Sequence, residues 1–175
     1  MSILEWLRGA RSSASAGRGD TDTVRRIVAE LDKLDPDRAR YLAAFAYVLS
    51  RVAGADLHIS DVEAGMMVDI VRRVGHLQEE QAMLVVEIAK GQNRLFGGTE
   101  NFLVTREFRE VASDQERHEL LDCLFAVAAA DAAVSADEES QIWQIASEIG
   151  VPHAEYVKVR LAYSDKRTVL RRNES

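Results

Sequence analysis

One cysteine, two prolines and few aromatic residues stand in a chain of 175 amino acids. The lone Cys123 has no partner for an intrachain disulfide, and a single thiol excludes Cys-rich zinc or iron–sulfur sites. A reducing, cytoplasmic compartment is the expectation. No apolar run approaches the roughly 18 residues that a membrane-spanning helix needs. The opening MSILEWLRGAR lacks the apolar stretch and cleavage site of a signal peptide. Surplus positive charge is missing too: 22 Lys and Arg face 29 Asp and Glu, a net charge of −7. That balance argues against broad contact with a phosphate backbone and permits cation binding. A chain this long buries about 70% of its unfolded surface, so it folds without a covalent or metal staple.

What is present is helix-forming. Scarce proline with abundant Ala, Leu, Glu and Arg favours helix nearly throughout, and no segment alternates with period two. Residues 1–20 read as a flexible N-terminal segment, with a short apolar stripe (Ile3, Leu4, Trp6, Leu7) ahead of a Gly/Ser-rich linker over 8–20. The stripe is either a docked turn or a surface for a membrane or partner, although seven residues bury too little for stable anchoring alone. Residues 21–165 read as one helical domain and 166–175 as a charged tail. Asp35-Pro36 separates a first helix (22–34) from a second that runs to about residue 55, because the residue before proline is pushed out of the α region. Ser60-Asp61-Val62-Glu63 opens a third helix as a capping box. Val62, Met66, Ile70 and Val74 form its expected buried face, and Gly75 suits the residue after its end. Further helices are expected over 78–91, 102–111, 114–130, from a second capping box at Ser135-Ala136-Asp137-Glu138 to Gly150, and from Pro152 to about 164.

A shift of 75 residues aligns two segments, VAGADLHISDVE over 52–63 and VAAADAAVSADE over 127–138. Identities include Val52/Val127, Asp56/Asp131, Ser60/Ser135, Glu63/Glu138, Ile70/Ile145 and Gly75/Gly150. Such self-similarity marks duplicated supersecondary structure, here an αα-hairpin that can pair about a pseudo-two-fold axis. The apolar identities are core spacing and the Ser/Glu pairs are caps. Asp56 and Asp131 are harder to account for, because each is expected at a helix C-terminus, where the macrodipole disfavours negative charge. Two readings stay open. Each Asp is a turn-former that accepts nearby amides. Alternatively Asp56, Glu63, Asp131 and Glu138 face one another across the axis and offer hard oxygens to Ca²⁺, Mg²⁺ or Mn²⁺.

The pattern Ala-Asp, short link, Ser-x-x-Glu, present at residues 55–63 and again at 130–138, resembles the signature of the TerB-like family (tellurite-resistance TerB and DjlA N-terminal-domain-like proteins). The similarity extends from about residue 38 to 165. The resemblance implies an all-α single bundle of seven or eight helices built on an internal duplicated αα-hairpin. It also implies an acidic site that maps onto Asp56, Glu63, Asp131 and Glu138. It further implies a metal-binding or metal-sensing adaptor in cytoplasmic stress systems, peripheral to the membrane and acting with a protein partner. Many members have Gly after the motif Asp, where this chain has Leu57 and Ala132.

Other constellations fall short. No His has a Glu three residues before it, so a ferritin-like di-iron centre is unsupported. The links lack the oxygen ladder of an EF-hand. His58 reads as a turn or surface residue, and His118 as half of an i, i+4 pair with Asp114. Cys123 reads as core. Trp143 is either half-buried core or an exposed interface. The segment 91–102, with Gly97-Gly98, is either a tucked loop or a partner-binding flap. Dispersed Arg pairs read as solvated faces, so no nucleic-acid partner is expected. No nucleophile–base set, Walker loop or small-molecule site is apparent, so an enzyme is not expected. Two functions remain: a non-enzymatic divalent-cation adaptor or a metal-free helical interaction scaffold.

Overall fold

The computed structural model describes residues 18–53, 59–91, 101–130 and 134–173. The stripe over residues 3–7, most of the expected linker, Asp56, His58, Asp131 and the loop over 92–100 lie outside the described residues. Among the described residues the architecture is all-α, with eight helices and no strand. These are α1 (Arg18–Asp32), α2 (Pro36–Val52), α3 (Asp61–Arg73), α4 (Glu79–Lys90), α5 (Asn101–Val111), α6 (Asp114–Ala129), α7 (Ala136–Ile149) and α8 (His153–Asn173). α1 takes in the last three residues of the expected linker, and α8 continues past the end expected near residue 164.

α2 is the central element. Asp35 caps it, its carboxylate accepting from the amides of Asp37 and Arg38, and Pro36 fills the first turn, where no amide is missed. The helix is buried on all sides from Tyr41 to Ser50, as a helix in the middle of a bundle must be. Ser50 is the polar residue in that run, and its hydroxyl donates to the Tyr47 carbonyl at 2.5 Å. α2 packs against α4 of its own unit and against α5, α6 and α7 of the other.

The duplication is visible in the architecture. Adding 75 to α2, α3 and α4 lands on α6, α7 and α8. α2 meets α6, and the cross-contacts α3–α6 and α2–α7 are both present. α5 departs from the symmetry. It lies between α2 and α7, where Phe108 stacks on Tyr41 with ring centroids 5.4 Å apart. On this helix the Glu107 carboxylate lies 2.9 Å from the Arg40 guanidinium of α2.

α3 corrects one expectation. Val62 and Met66 are exposed and Ile70 and Val74 only half-buried, whereas Met67 and Val71 are the buried positions. The buried face is therefore rotated by one residue. α3 packs mainly on α4 and α6, so only a narrow stripe is covered. The repeat carries the sign of this, since Val62 and Met66 correspond to Asp137 and Gln141, while Met67 and Val71 correspond to the buried Ile142 and Ala146.

The helix stops also differ between units. Gly150 has φ of +83°, and the Val151 amide donates to Ala146 and the Gly150 amide to Ser147, the double bond of a Schellman ending. Gly75 does not adopt positive φ; the left-handed residue there is His76, at φ of +56°.

Candidate functional site

The four helix ends nearest the pseudo-two-fold enclose a pocket of about 190 Å³. Val52 and Ala53 come from the end of α2, Val127 and Ala130 from the end of α6, Glu63 from the first turn of α3 and Glu138 from the first turn of α7. Two of these pairs, Val52/Val127 and Glu63/Glu138, stand 75 residues apart, so the pocket straddles the repeat axis. Its remaining wall is one-sided, made by Ile59, Met66, Met67 and Ile70. The sequence reading assigned Met66 and Ile70 to core. What marks them as pocket wall is the polar counterpart Gln141 at the position matching Met66.

Both glutamates are held by the same device. The Ser60 amide donates to Glu63 Oε2 at 2.7 Å, and the Glu63 amide donates to Ser60 Oγ at 3.2 Å. At the second site the Ser135 amide and hydroxyl donate to Glu138 Oε2 at 2.7 and 2.8 Å, and the Glu138 amide donates back to Ser135 Oγ. These reciprocal bonds satisfy amides that a helix start leaves unpaired. They also fix each carboxylate by one oxygen. Among the described residues Oε1 of either glutamate accepts no hydrogen bond. Donation from the Ser60 amide and hydroxyl holds the Glu63 carboxyl below the ordinary glutamate value, because those bonds favour the charged form.

Of the four acids expected to converge, the structure brings Glu63 and Glu138 to one pocket. Asp56 and Asp131 are outside the described residues. In sequence, Asp131 follows the pocket residue Ala130, and Asp56 falls between Ala53 and Ile59, which also line it. Among the described residues no three His, Cys, Asp or Glu side chains gather as a metal-ion group. The donor chemistry is that of hard oxygens, two carboxylates with one oxygen each uncommitted among the described residues; the C-terminal ends of α2 and α6 beside them favour positive charge, and the N-terminal ends of α3 and α7 that carry the glutamates offset this.

The other candidates resolve as follows. His118 Nε2 lies 2.6 Å from Glu155 of α8, and Asp114 pairs instead with Arg117. The expected i, i+4 pair is thus replaced by a contact between helices. Cys123 is fully buried, and burial pushes its thiol far above the ordinary range, as for a core residue. Trp143 is 38% exposed, with its ring edge-on to His153 and tilted against Tyr156. A third capping box, which the sequence reading passed over, opens α6: Ser113 and Glu116 exchange amide bonds at 2.8 and 3.2 Å. Its Ser-Asp-Gln-Glu spelling carried the same signal as the other two.

No helix among the described residues is long and apolar enough to cross a membrane. No curated protein and no solved structure matches the chain. A family model described as Tellurite resistance protein TerB matches residues 42–161, a span that takes in both acidic motifs. The family is a tellurite-resistance-associated one with no known enzymatic activity. The duplicated helical unit, the paired capped glutamates and this match agree, and the chain belongs to the TerB family.

Proposed function

We propose that the protein is a non-enzymatic, divalent-cation-binding adaptor of the tellurite-resistance-associated family, acting in the cytoplasm near a membrane surface with a protein partner. Asp56, Glu63, Asp131 and Glu138 supply the oxygen ligands, and Ca²⁺, Mg²⁺ or Mn²⁺ is the ion. One observation carries the reading: Glu63 and Glu138, related by the repeat, border the same pocket from opposite units. A cation held there ties the two units together and biases the surface around the pocket toward or away from a partner.

Calorimetric titration with Ca²⁺, Mg²⁺, Mn²⁺ and Zn²⁺ tests it. Saturable binding of a hard cation that disappears in Asp56→Ala/Asp131→Ala supports the proposal. No heat with any ion, or binding that survives the double substitution, overturns it. A native-state ligand at about 100 times its Kd adds about 2.7 kcal/mol of stability. In a protein of this size that is a Tm rise on the order of 5–10 °C.

The second reading is a metal-free interaction scaffold. The observation that favours it is that Oε2 of each glutamate is already committed to a cap. In that case Tm is the same with and without cation, and Ser60→Ala and Ser135→Ala each cost about 0.5–2 kcal/mol in either condition.

A further inference from the structure

The pocket carries more apolar surface than a cation site requires. On α3 the pocket residue Met66 is 44% exposed, and Val62, outside the pocket lining and one helical turn away on the same face, is 75% exposed. Half-buried Ile59 and Ile70 continue the strip. The matching positions in the other unit are Asp137 and Gln141, so the duplicated architecture does not demand it. Glu63 and Glu138 border the pocket, and Asp61, which is paired with Lys90, and Asp137 lie in the same first turns of α3 and α7. The volume of about 190 Å³ is below the roughly 300–1,000 Å³ of a small-molecule site. It suits a few side chains of a peptide.

Topology brings a segment of matching chemistry to this end of the molecule. The starts of α2 and α4 lie together, where the Arg38 guanidinium donates to Gln81 at 2.7 Å. α1 ends at Asp32, just before the start of α2, and it packs on α4 with Arg26 paired to Glu87. α1 therefore runs antiparallel to both. At the far end of α4, Lys90 lies 3.4 Å from Asp61, the residue before Val62. From Arg26 back to Arg18 the helix rises about 12 Å toward that same end. The chain ahead of α1 thus departs from the pocket end of the bundle. It holds the apolar Ile3, Leu4, Trp6 and Leu7, then ten small and polar residues over 8–17, which extended reach about 33 Å. Arg8 and Arg11 outnumber its single acid, Glu5, opposite in sign to the two glutamates at the pocket.

We infer that residues 1–7 of this same chain seat on the Val62–Met66 strip, with Arg8 and Arg11 against the acidic rim. This inference does not rest on the cation reading, because it uses the apolar wall.

The test is run on the full chain in EDTA, so that cation binding plays no part. With both tryptophans labelled as 5-fluorotryptophan, Trp6→Phe assigns the two fluorine resonances. The Trp6 resonance is expected to be protected from a soluble paramagnetic relaxation agent, equally at all protein concentrations. Val62→Asp/Met66→Gln installs the residues that the second unit carries at the matching positions, the exposed Asp137 and the half-buried Gln141. It is expected to expose Trp6 while leaving the Trp143 resonance and the helical circular dichroism unchanged. In a Trp143→Phe background, Trp6 emission should shift to the red with the same pair of substitutions. The inference is overturned by a Trp6 already exposed in the parent chain. It is equally overturned by protection that the double substitution leaves intact, or by protection that is lost on dilution, which assigns the strip to a second copy.

Discussion

A side chain at residue 75 would meet the Val71 carbonyl oxygen at 2.6 Å and the Cys123 sulfur at 3.0 Å, whereas one at residue 150 would meet only the Arg109 guanidinium, at 3.1 Å. The two glycines match in the repeat and answer to different constraints. Gly75 is required by close packing, and Gly150 by a positive φ that costs an L-residue about 1–2 kcal/mol. Alanine at either position is expected to destabilise, by about 1–3 kcal/mol at Gly75 through overpacking. Asparagine separates the causes. Gly150→Asn should cost less than Gly150→Ala, since asparagine tolerates the left-handed region, and Gly75→Asn should cost more than Gly75→Ala. Urea midpoints of the four variants check this order. Glu63 gives a second prediction. Its folded carboxyl is held below the unfolded value by Ser60, so its contribution to stability is present above the unfolded value and lost as pH falls through the folded one. The stability gap between the parent chain and Glu63→Gln, measured in denaturant at a series of pH values, should therefore hold near neutrality and narrow as pH falls from the ordinary glutamate value through the lower folded one. The sequence spelled out both effects unevenly. A capping box is a local code and reads directly. The reason for a glycine depends on what lies against it, and Cys123 and Val71 approach Gly75 only in the folded bundle.

At the scale of the helix, existence and type were legible where an element carries its own local signal, as α2 does in its Asp-Pro start, α3 and α7 in their Ser-x-x-Glu boxes and α7 in its Gly stop; the equal signal of α6 was there and passed over. Which face is buried was legible only where packing surrounds the helix. In α6 and α7 the apolar residues at helical spacing, Leu121, Leu124, Phe125, Ile142, Ile145 and Ile149, are all buried. For α3, packed mainly on α4 and α6, the apolar pattern contains both a buried stripe and a pocket wall, and periodicity cannot divide them. α5 shows a limit of another kind. Its partners, α2 and α7, are set by topology, and the pairing of Arg40 with the largely buried Glu107 across 67 positions has no local signature. That pair yields a prediction. Arg40→Met leaves the Glu107 carboxylate short of a charged partner and should cost about 1.5–3 kcal/mol. Arg40→Met/Glu107→Met, which removes both charges, should recover most of the loss. A double-mutant cycle from chemical denaturation reads the coupling directly.

For the molecule as a whole, the duplication places the most buried helix of each unit against the other, and this decides how the fold is held together. α2 is covered by α4 from its own half, but by α5, α6 and α7 from the second. Cut after residue 91, the first half would leave the α2 faces around Phe45, Leu49 and Val48, all fully buried in the intact chain, without most of their cover. Apolar burial is the dominant favourable term, at about 25 cal/mol per Å², and a small domain has little surplus over its conformational entropy. A fragment of residues 18–91 is therefore expected to lack cooperative unfolding and dispersed amide resonances. The intact chain should unfold in a single transition, with far-ultraviolet circular dichroism and Trp143 fluorescence of a Trp6→Phe variant giving coincident midpoints. A fragment that folds independently would mean that each hairpin is self-sufficient and that the units merely dock. The pocket between them would then be a hinge between separate bodies, where the packing described here makes it a cleft within one core. The family-level fold was readable from the repeat because duplication writes the same local code twice. The pocket was not, because it is made where two copies of that code meet, and residues such as Val52 and Val127 become its walls only through that encounter.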